Sequence, residues 1–283
     1  SNIDGHFSLV FISHKKIIAC VDWIRAYPLF YYTNNQQEIT ISNNPKAIRK
    51  KHDCNEINKY AAIDIFASGY ATGDRTLFSK IKQVTPGCLL IKNNKATKIV
   101  SYKNYRPEKG YQLNNNKYSV LKRKFVESLD EVFTKLLNKN KNRNIFIPLS
   151  AGYDSRLILS CLLRHGHKNI TCYSYGLKNN SEMTVAKEIC SKLAVNFVQI
   201  NTSPKIIRAF SKRKFYADYM EYSDTYASVP FIQDLPALYL YEKKQMFPKD
   251  ALFINGNTGD FISGGHIPSE LINHKQINFT LIV

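Results

Sequence analysis

The first hundred residues alternate short apolar runs with polar turns. Four such runs fill residues 6–42, with the sequences "HFSLVFI", "KIIACVD", "PLFYY" and "EITIS". Residues 88–102 read as a further hairpin, and residues 55–69 have the spacing of a short helix that Gly69 can end. Strands this close in sequence pair as antiparallel hairpins. The pattern predicts a β-rich block that ends in the polar stretch at residues 105–117.

Beyond residue 117 the pattern changes to helices that alternate with strands. Strands are predicted at residues 145–149, 170–176, 196–200 and 251–254, and Gly166 and Ser181 are expected to end one helix and cap the next. Alternating strands and helices form a parallel sheet with right-handed crossovers. A preceding helix at residues 118–137 is predicted to bury one face, formed by Leu121, Phe125, Leu129, Val132, Phe133, Leu136 and Leu137.

Composition places the chain among folded globular proteins. Its 283 residues can hold one large domain or two ordinary ones, and 44% of them are hydrophobic. No run approaches the 18 apolar residues of a membrane span, and the N-terminus lacks the features of a signal peptide. The six cysteines form no CxxC pair, which is typical of reduced thiols. We therefore predict a cytoplasmic protein.

The net charge of +18 calls for an anionic partner, but the basic residues are dispersed. The chain is also rich in Asn, Ile and Lys, a bias that an AT-rich genome alone would favour. We therefore favour a solvated basic surface over a nucleic-acid footprint. The oligomeric state is left open.

The turn "LSAGYDSR" at residues 149–156 stands where an open parallel sheet binds ligands, between a strand end and a helix start. Helix N–H groups, Gly152 and the hydroxyls of Ser150 and Ser155 can converge there on an anion. Asp154 would repel a phosphate unless a cation such as magnesium (Mg²⁺) lies between them. The turn therefore predicts a pyrophosphate site with a metal-holding aspartate. The alternative is an ordinary turn in which Asp154 or Ser155 caps the helix.

A second segment favours the ligand site. "ALFINGNTGDFISGGHIP", at residues 251–268, is again a strand that runs into a glycine-rich turn, with Asp260 inside it. Its glycines allow a close approach of the backbone to a ligand. Asp154 and Asp260 are then predicted to hold Mg²⁺ from two sides.

These motifs resemble those of a known family. "LSAGYDSR" is similar to the SGGxDS pyrophosphate loop (PP-loop) of the ATP-pyrophosphatases, and "FINGNTGDFISGGH" to the SGxGxDExFxGY segment of asparagine synthetases. "VDWIRAYPLFYY" and "TLFSKIKQVTPG" resemble the later half of their glutaminase domain. The resemblance implies two domains: residues 1–110, a β-rich, partial, Ntn-type glutaminase-like domain, and residues 111–283, an α/β, parallel-sheet nucleotide-binding domain. Compared with the family's pattern, the sequence given starts later in the glutaminase domain and stops earlier in the nucleotide-binding domain.

The resemblance also implies an activity, that of a carbon–nitrogen ligase. Such an enzyme uses ATP to adenylate a carboxylate, releases pyrophosphate, and lets ammonia, supplied directly or from glutamine, or an amine displace AMP. Asp154 and Asp260 would hold Mg²⁺, and Arg156 and Asn257 would act in the chemistry. The implied nucleotide-binding residues are Leu149, Ser150, Gly152, Asp154, Ser155, Tyr175, Gly176, Asn255 and Gly256.

Several positions depart from the family pattern. No cysteine stands in the place of the glutaminase nucleophile, and Ala151 replaces a glycine, for which we predict an ordinary negative φ. Asn257 replaces an acidic residue, and asparagine cannot act as a base. With Phe261 and His266 these changes suggest an acceptor other than aspartate, such as a sugar acid of a surface polysaccharide. A non-catalytic relative that binds a nucleotide or a partner, and a PP-loop enzyme that modifies tRNA, are kept as alternatives.

Overall fold

The chain folds into two compact units. The first comprises Ser1–Tyr111 and Ser211–Phe231, and the second comprises Gln112–Phe210 and Ile232–Val283. As functional domains, residues 1–110 and 111–283 stay predictions. The computed structural model describes residues 3, 5–93, 96–103, 118–178, 180–243, 247–257 and 259.

The first unit is built on two antiparallel sheets. The four-stranded sheet has the order β1-β2-β6-β7 and the three-stranded sheet the order β4-β3-β5. Side chains from both sheets share one core, in which Ala19, Val21 and Leu90 are fully buried. The strands are β1 (Ser8–Ile12), β2 (Lys16–Val21), β3 (Phe30–Thr33), β4 (Ile39–Ser42), β5 (Lys82–Gln83), β6 (Cys88–Asn93) and β7 (Thr97–Ser101).

Three helices complete the described part of the first unit. They are α1 (Pro45–His52), α2 (Lys59–Ser68) and, from the returning segment, α7 (Lys214–Ser223). Gly69 ends α2 with a φ of 84°, as the pattern predicts. A second core on the other side of β3 contains Phe30, Ile48 and Phe78, together with Ala227.

The second unit carries the predicted parallel sheet. Its strand order is β10-β9-β8-β11, and all three pairings are parallel. This is the 3-2-1-4 order of doubly wound α/β folds. The elements are α3 (Tyr118–Lys139), β8 (Ile145–Pro148), α4 (Tyr153–Arg164), β9 (Ile170–Gly176), α5 (Ser181–Lys192), β10 (Asn196–Asn201), α6 (Pro204–Phe210), α8 (Leu235–Glu242) and β11 (Leu252–Phe253).

Apolar clusters cover both faces of this sheet. One joins Ile147 and Cys172 to helices α3, α4 and α5, and the other packs Tyr173 against α8. Two details differ from the sequence prediction. Phe125 of α3 is about half exposed because the packed face of α3 lies nearer its C-terminus, and Val132 is exposed because it lies beside the packed row that contains Leu129 and Phe133. Asn180 rather than Ser181 caps α5, since its Oδ1 accepts a hydrogen bond from the Glu182 N–H at 2.7 Å.

Within the ranges that the structure describes, no helix combines the length and the apolar character needed to cross a membrane.

Candidate functional site

Two turns of the second unit meet at one edge of the parallel sheet. Strand β11 pairs with β8, with Leu252 opposite Ile145, and the Ile254 N–H donates to the Phe146 carbonyl at 3.0 Å. Because the two strands are parallel and adjacent, the turns that follow them lie side by side at their carboxyl ends. This is the edge at which open α/β sheets bind ligands.

The first turn is shaped by its two serines. The Ser150 N–H donates to Ser155 Oγ at 3.2 Å, and the two hydroxyl oxygens also lie 3.2 Å apart. The Gly152 N–H donates to Ser150 Oγ at 3.1 Å. Ser155 is buried, whereas Gly152 is exposed. These bonds fold the turn tightly against the start of α4.

The N-terminus of α4 has no side-chain cap. Gly152 occupies the cap position with an extended backbone, at φ −68° and ψ 157°, and as glycine it offers no side-chain acceptor to the N–H groups of the first helical turn. The alternative in which Asp154 or Ser155 caps the helix is therefore wrong. The first N–H groups of a helix carry a partial positive charge and can receive an anion. Ala151 has the predicted negative φ, so it fits this turn without strain.

Asp154 lies in the first turn of α4, against the glycines of the second turn. A Cβ added at Gly256 would lie 2.9 Å from the Asp154 Cβ and 3.1 Å from the Ser155 nitrogen. A Cβ added at Gly259 would overlap the Asp154 carboxylate itself. The second turn therefore encloses this carboxylate at a distance that only glycine permits.

Leu149 and the end of β9 form the neighbouring part of the edge. Leu149 is buried, its N–H donates to the Tyr173 carbonyl at 2.8 Å, and its carbonyl accepts a hydrogen bond from Ser174 Oγ. Gly176 has a φ of 149°, and a Cβ there would lie 2.9 Å from Asn180 Nδ2. Gly176 is thus required both by its backbone conformation and by the cap of α5.

Tyr175 turns its ring toward α8 and donates its hydroxyl to the carboxylate of Asp234. Burial and then this hydrogen bond raise the pKa of the Tyr175 phenol above its usual range. Asp234 lies 59 positions away in sequence, and no motif in the sequence indicated it.

Arg156 lies at the mouth of the first turn. Its Nε donates to the Gly152 carbonyl at 3.1 Å, and its guanidinium carbon lies 4.6 Å from the centre of the Tyr153 ring. The Tyr153 side chain is 84% exposed. This cation–π pair leaves other donors of Arg156 able to turn toward a bound anion.

The remaining predicted residues belong to the second turn. Asn255 and Asn257 are exposed, and the Asn257 N–H donates to Asn255 Oδ1 at 3.3 Å. Asp260, like Phe261 and His266, lies outside the described residues. Of the two predicted metal ligands, the structure therefore describes only Asp154. The described residues contain no cluster of three or more His, Cys, Asp or Glu side chains that could hold a metal alone.

All six cysteines have free thiols, and five of them are buried in the cores. Asp22, which belongs to the stretch that resembles a glutaminase domain, has a structural part in the first unit. Its carboxylate accepts hydrogen bonds from the N–H groups of Phe7, Ile24 and Ala26 at 3.0–3.1 Å. Burial opposes ionisation of Asp22, but these bonds outweigh it and hold the pKa below the usual range.

One comparison with known proteins addresses the first unit, and another spans nearly the whole chain. Residues 1–105 match the family model of the glutamine amidotransferase domain. The microcin J25-processing protein McjC of Escherichia coli is 25% identical over 279 residues, which cover 95% of this chain and 48% of that protein. The chain therefore spans about half the length of this curated relative.

The NH3-dependent NAD synthetase of Campylobacter jejuni is a structural neighbour at 18% sequence identity. The match covers 50% of this chain and 59% of that chain, with a TM-score of 0.35. The family match and the near-complete coverage by McjC agree with the motifs quoted above. They confirm the resemblance of this chain to the asparagine synthetase-like amidotransferases.

Proposed function

We propose that this chain carries the synthetase site of an ATP-dependent amide ligase. The ligase forms AMP and pyrophosphate, activating a carboxylate for attack by ammonia or an amine. The observation that carries the proposal is the enclosure of Asp154 by the glycines of the second turn, beside the uncapped N-terminus of α4. A carboxylate held next to a helix N-terminus suits a metal–phosphate complex, because the metal joins the two negative groups.

The described residues fit ATP and Mg²⁺. Mg²⁺ is commonly held by one or two carboxylates together with phosphate oxygens, so Asp154 with a phosphate meets its needs. The backbone N–H groups of α4 and the hydroxyls of Ser150 and Ser155 supply donors for the pyrophosphate. Leu149, Tyr175 and Gly176 would seat the adenine, as the family resemblance implies. Bound Mg²⁺–ATP would turn a carboxylate, which is a poor acyl donor, into one with a good leaving group.

The acceptor is proposed at the level of its chemical class, a carboxylate. Asn257 cannot serve as a base, which favours an acceptor other than aspartate. The sugar acid suggested by the sequence is one candidate. The E. coli relative processes microcin J25, so we add peptides with acidic side chains as a second candidate. Glutamine or free ammonia is proposed as the nitrogen source where the product is a primary amide.

Calorimetric titration of Mg²⁺–ATP tests the proposal. We expect binding to the native chain and binding at least about tenfold weaker, or about 1.4 kcal/mol, in Asp154→Asn. Glu188→Gln is the matched control, because it removes an exposed carboxylate from α5. Pyrophosphate release is then measured with sugar acids and acidic peptides as acceptors. An affinity equal in Asp154→Asn and in the native chain would contradict the proposed site.

The two alternatives predict other results in the same experiments. A non-catalytic relative would bind Mg²⁺–ATP but release no pyrophosphate with any acceptor. A tRNA-modifying enzyme would bind tRNA with an affinity that falls steeply with salt, in keeping with the net charge of +18. The β-rich first unit and its match to an amidotransferase domain weigh against that alternative.

A further inference from the structure

The turn between β2 and β3 in the first unit holds Arg25, whose guanidinium has two nitrogens without an acceptor among the described residues. Arg25 Nε and Nη2 are both inaccessible to solvent, and neither has a hydrogen-bond acceptor among the described residues. The guanidinium carbon lies 5.3 Å from the centre of the Phe30 ring, which is fully buried. The guanidinium is therefore packed on an aromatic ring, and two of its donors are unused.

Such an arrangement is unfavourable unless an anion completes it. The two covered nitrogens lose their hydration without gaining an acceptor, and burial lowers the pKa of Arg25 to about 10. The backbone of Arg25 is also strained, because its φ is +56°, a conformation that residues other than glycine rarely adopt. Strain and unsatisfied donors at one residue are features that proteins retain mainly at functional sites.

The nearest carboxylate in the turn does not supply the missing acceptor. The hydrogen bond between these two residues joins backbone atoms: the Arg25 N–H donates to the Asp22 carbonyl at 3.1 Å. The side-chain oxygens of Asp22 already accept the N–H groups of Phe7, Ile24 and Ala26. The acceptor for Arg25 must therefore come from elsewhere.

The two unused donors define the chemistry of that acceptor. In a guanidinium group the Nε–H and Nη2–H bonds are parallel and lie on one edge, which matches the two oxygens of a carboxylate. We propose that Arg25 anchors a carboxylate-binding site in the first unit. Either a small acid or an aspartate or glutamate side chain of another polypeptide supplies the carboxylate. The proposal does not rest on the nucleotide site of the second unit.

The turn that carries Arg25 lies at the surface of the first unit. Trp23, Ile24 and Tyr27 of the same turn are 49%, 62% and 58% exposed, so the turn lies at the surface. Because the donor edge itself is covered, the turn must shift to admit the carboxylate. A carboxylate that binds only the folded chain then stabilises it by mass action.

Thermal unfolding of the full chain in sodium acetate, sodium glutamate or an acidic peptide tests the site, with sodium chloride at equal ionic strength as the reference. The native chain is expected to gain roughly 3–6 °C at a carboxylate concentration ten times the dissociation constant. Arg25→Met should lose this gain, and Arg25→Lys should keep only part of it, because lysine lacks the paired donors. The control is Arg123→Met, since the Arg123 side chain is 70% exposed on α3.

The Nε–H resonance of Arg25, followed by NMR during an acetate titration of the native chain, gives a reading that does not depend on variants folding. A saturable shift of this resonance supports the site, and its absence up to molar acetate with no response to the peptide overturns it. A response to acetate and glutamate identifies a small acid as the ligand, whereas a response to the peptide alone identifies another polypeptide. Equal gains in the native chain and Arg25→Met also overturn the proposal.

Discussion

At the residue scale, the site depends on the space that Gly259 leaves open. A Cβ at this position would overlap the carboxylate of Asp154. We expect Gly259→Ala to displace either the carboxylate or the second turn, and to weaken Mg²⁺–ATP binding about tenfold or more. The unfolding free energy should fall by only about 1–3 kcal/mol, the usual cost of overpacking. Calorimetric titration and urea unfolding measure the two effects.

The control for Gly259→Ala is Asp250→Ala, which changes an exposed side chain just before β11, the strand that leads into the second turn. It should alter neither quantity by more than about 0.5 kcal/mol. If Gly259→Ala binds Mg²⁺–ATP as tightly as the native chain, the enclosure of Asp154 has no part in the site.

The sequence locates some residues of this edge and misses others, for physical reasons. Ser150, Gly152 and Asp154 follow a buried strand directly, so their place at the sheet edge can be predicted from chain order alone. The hydrogen bond between Tyr175 and Asp234 spans 59 positions and depends on how α8 packs, which no local pattern encodes. The two unsatisfied donors of Arg25 were missed because burial depends on tertiary packing.

At the element scale, β11 is short and is held by Arg143, two positions before the start of β8; its hydrogen bonds to the chain before β11 are called the clamp here. Only Leu252 and Phe253 form this strand. Arg143 holds the chain just before it, with Nε donating to the Asp250 carbonyl at 2.7 Å and Nη2 to the Ala251 carbonyl at 3.2 Å. The second turn is therefore positioned partly by an arginine at the other end of β11, where this strand begins.

Replacing the clamp should loosen β11 without disturbing α4. In Arg143→Met we expect faster hydrogen exchange at the Leu252 and Ile254 N–H groups, which bond to Asn144 and Phe146, and weaker binding of Mg²⁺–ATP. Exchange within α4 should stay unchanged. Arg123→Met is the control here too, and unchanged protection of β11 in Arg143→Met would show that the clamp is dispensable.

Elements with one clear apolar face could be predicted, and the rest could not. Strands β1–β4 and β6–β11 and helices α2, α3, α4 and α5 follow their periodicity, whereas the two-residue strand β5 was missed. Helix α8 was missed because its sequence "LPALYLYE" has almost no polar face, as expected of a helix packed in a core. Helix α1 was missed because it is short and basic, and its start depends on a local cap, in which Asn44 Oδ1 accepts the Lys46 N–H at 3.0 Å.

At the scale of the whole molecule, the first unit is discontinuous in sequence. The returning segment, residues 211–231, forms backbone hydrogen bonds with it, of which the Ala71 N–H to the Ala227 carbonyl and the Leu77 N–H to the Tyr226 carbonyl are both 2.7 Å long. Ala227 is buried, and the Tyr226 ring lies 4.7 Å from that of Phe78. No pattern in residues 211–231 indicates this return, because their partners are more than a hundred positions away.

The returning segment should therefore be needed for the stability of the first unit. A fragment of residues 1–111 is expected to unfold at a lower temperature alone than with a peptide of residues 211–231, and the gain should rise with peptide concentration, since the peptide binds only the folded fragment. Circular dichroism at several peptide concentrations measures this. A peptide with Ala227→Asp is the control, because it places a charge in the core beside Phe30 and Ile48. Equal unfolding temperatures with and without the native peptide would mean that residues 1–111 fold independently and that the returning segment adds nothing to their stability.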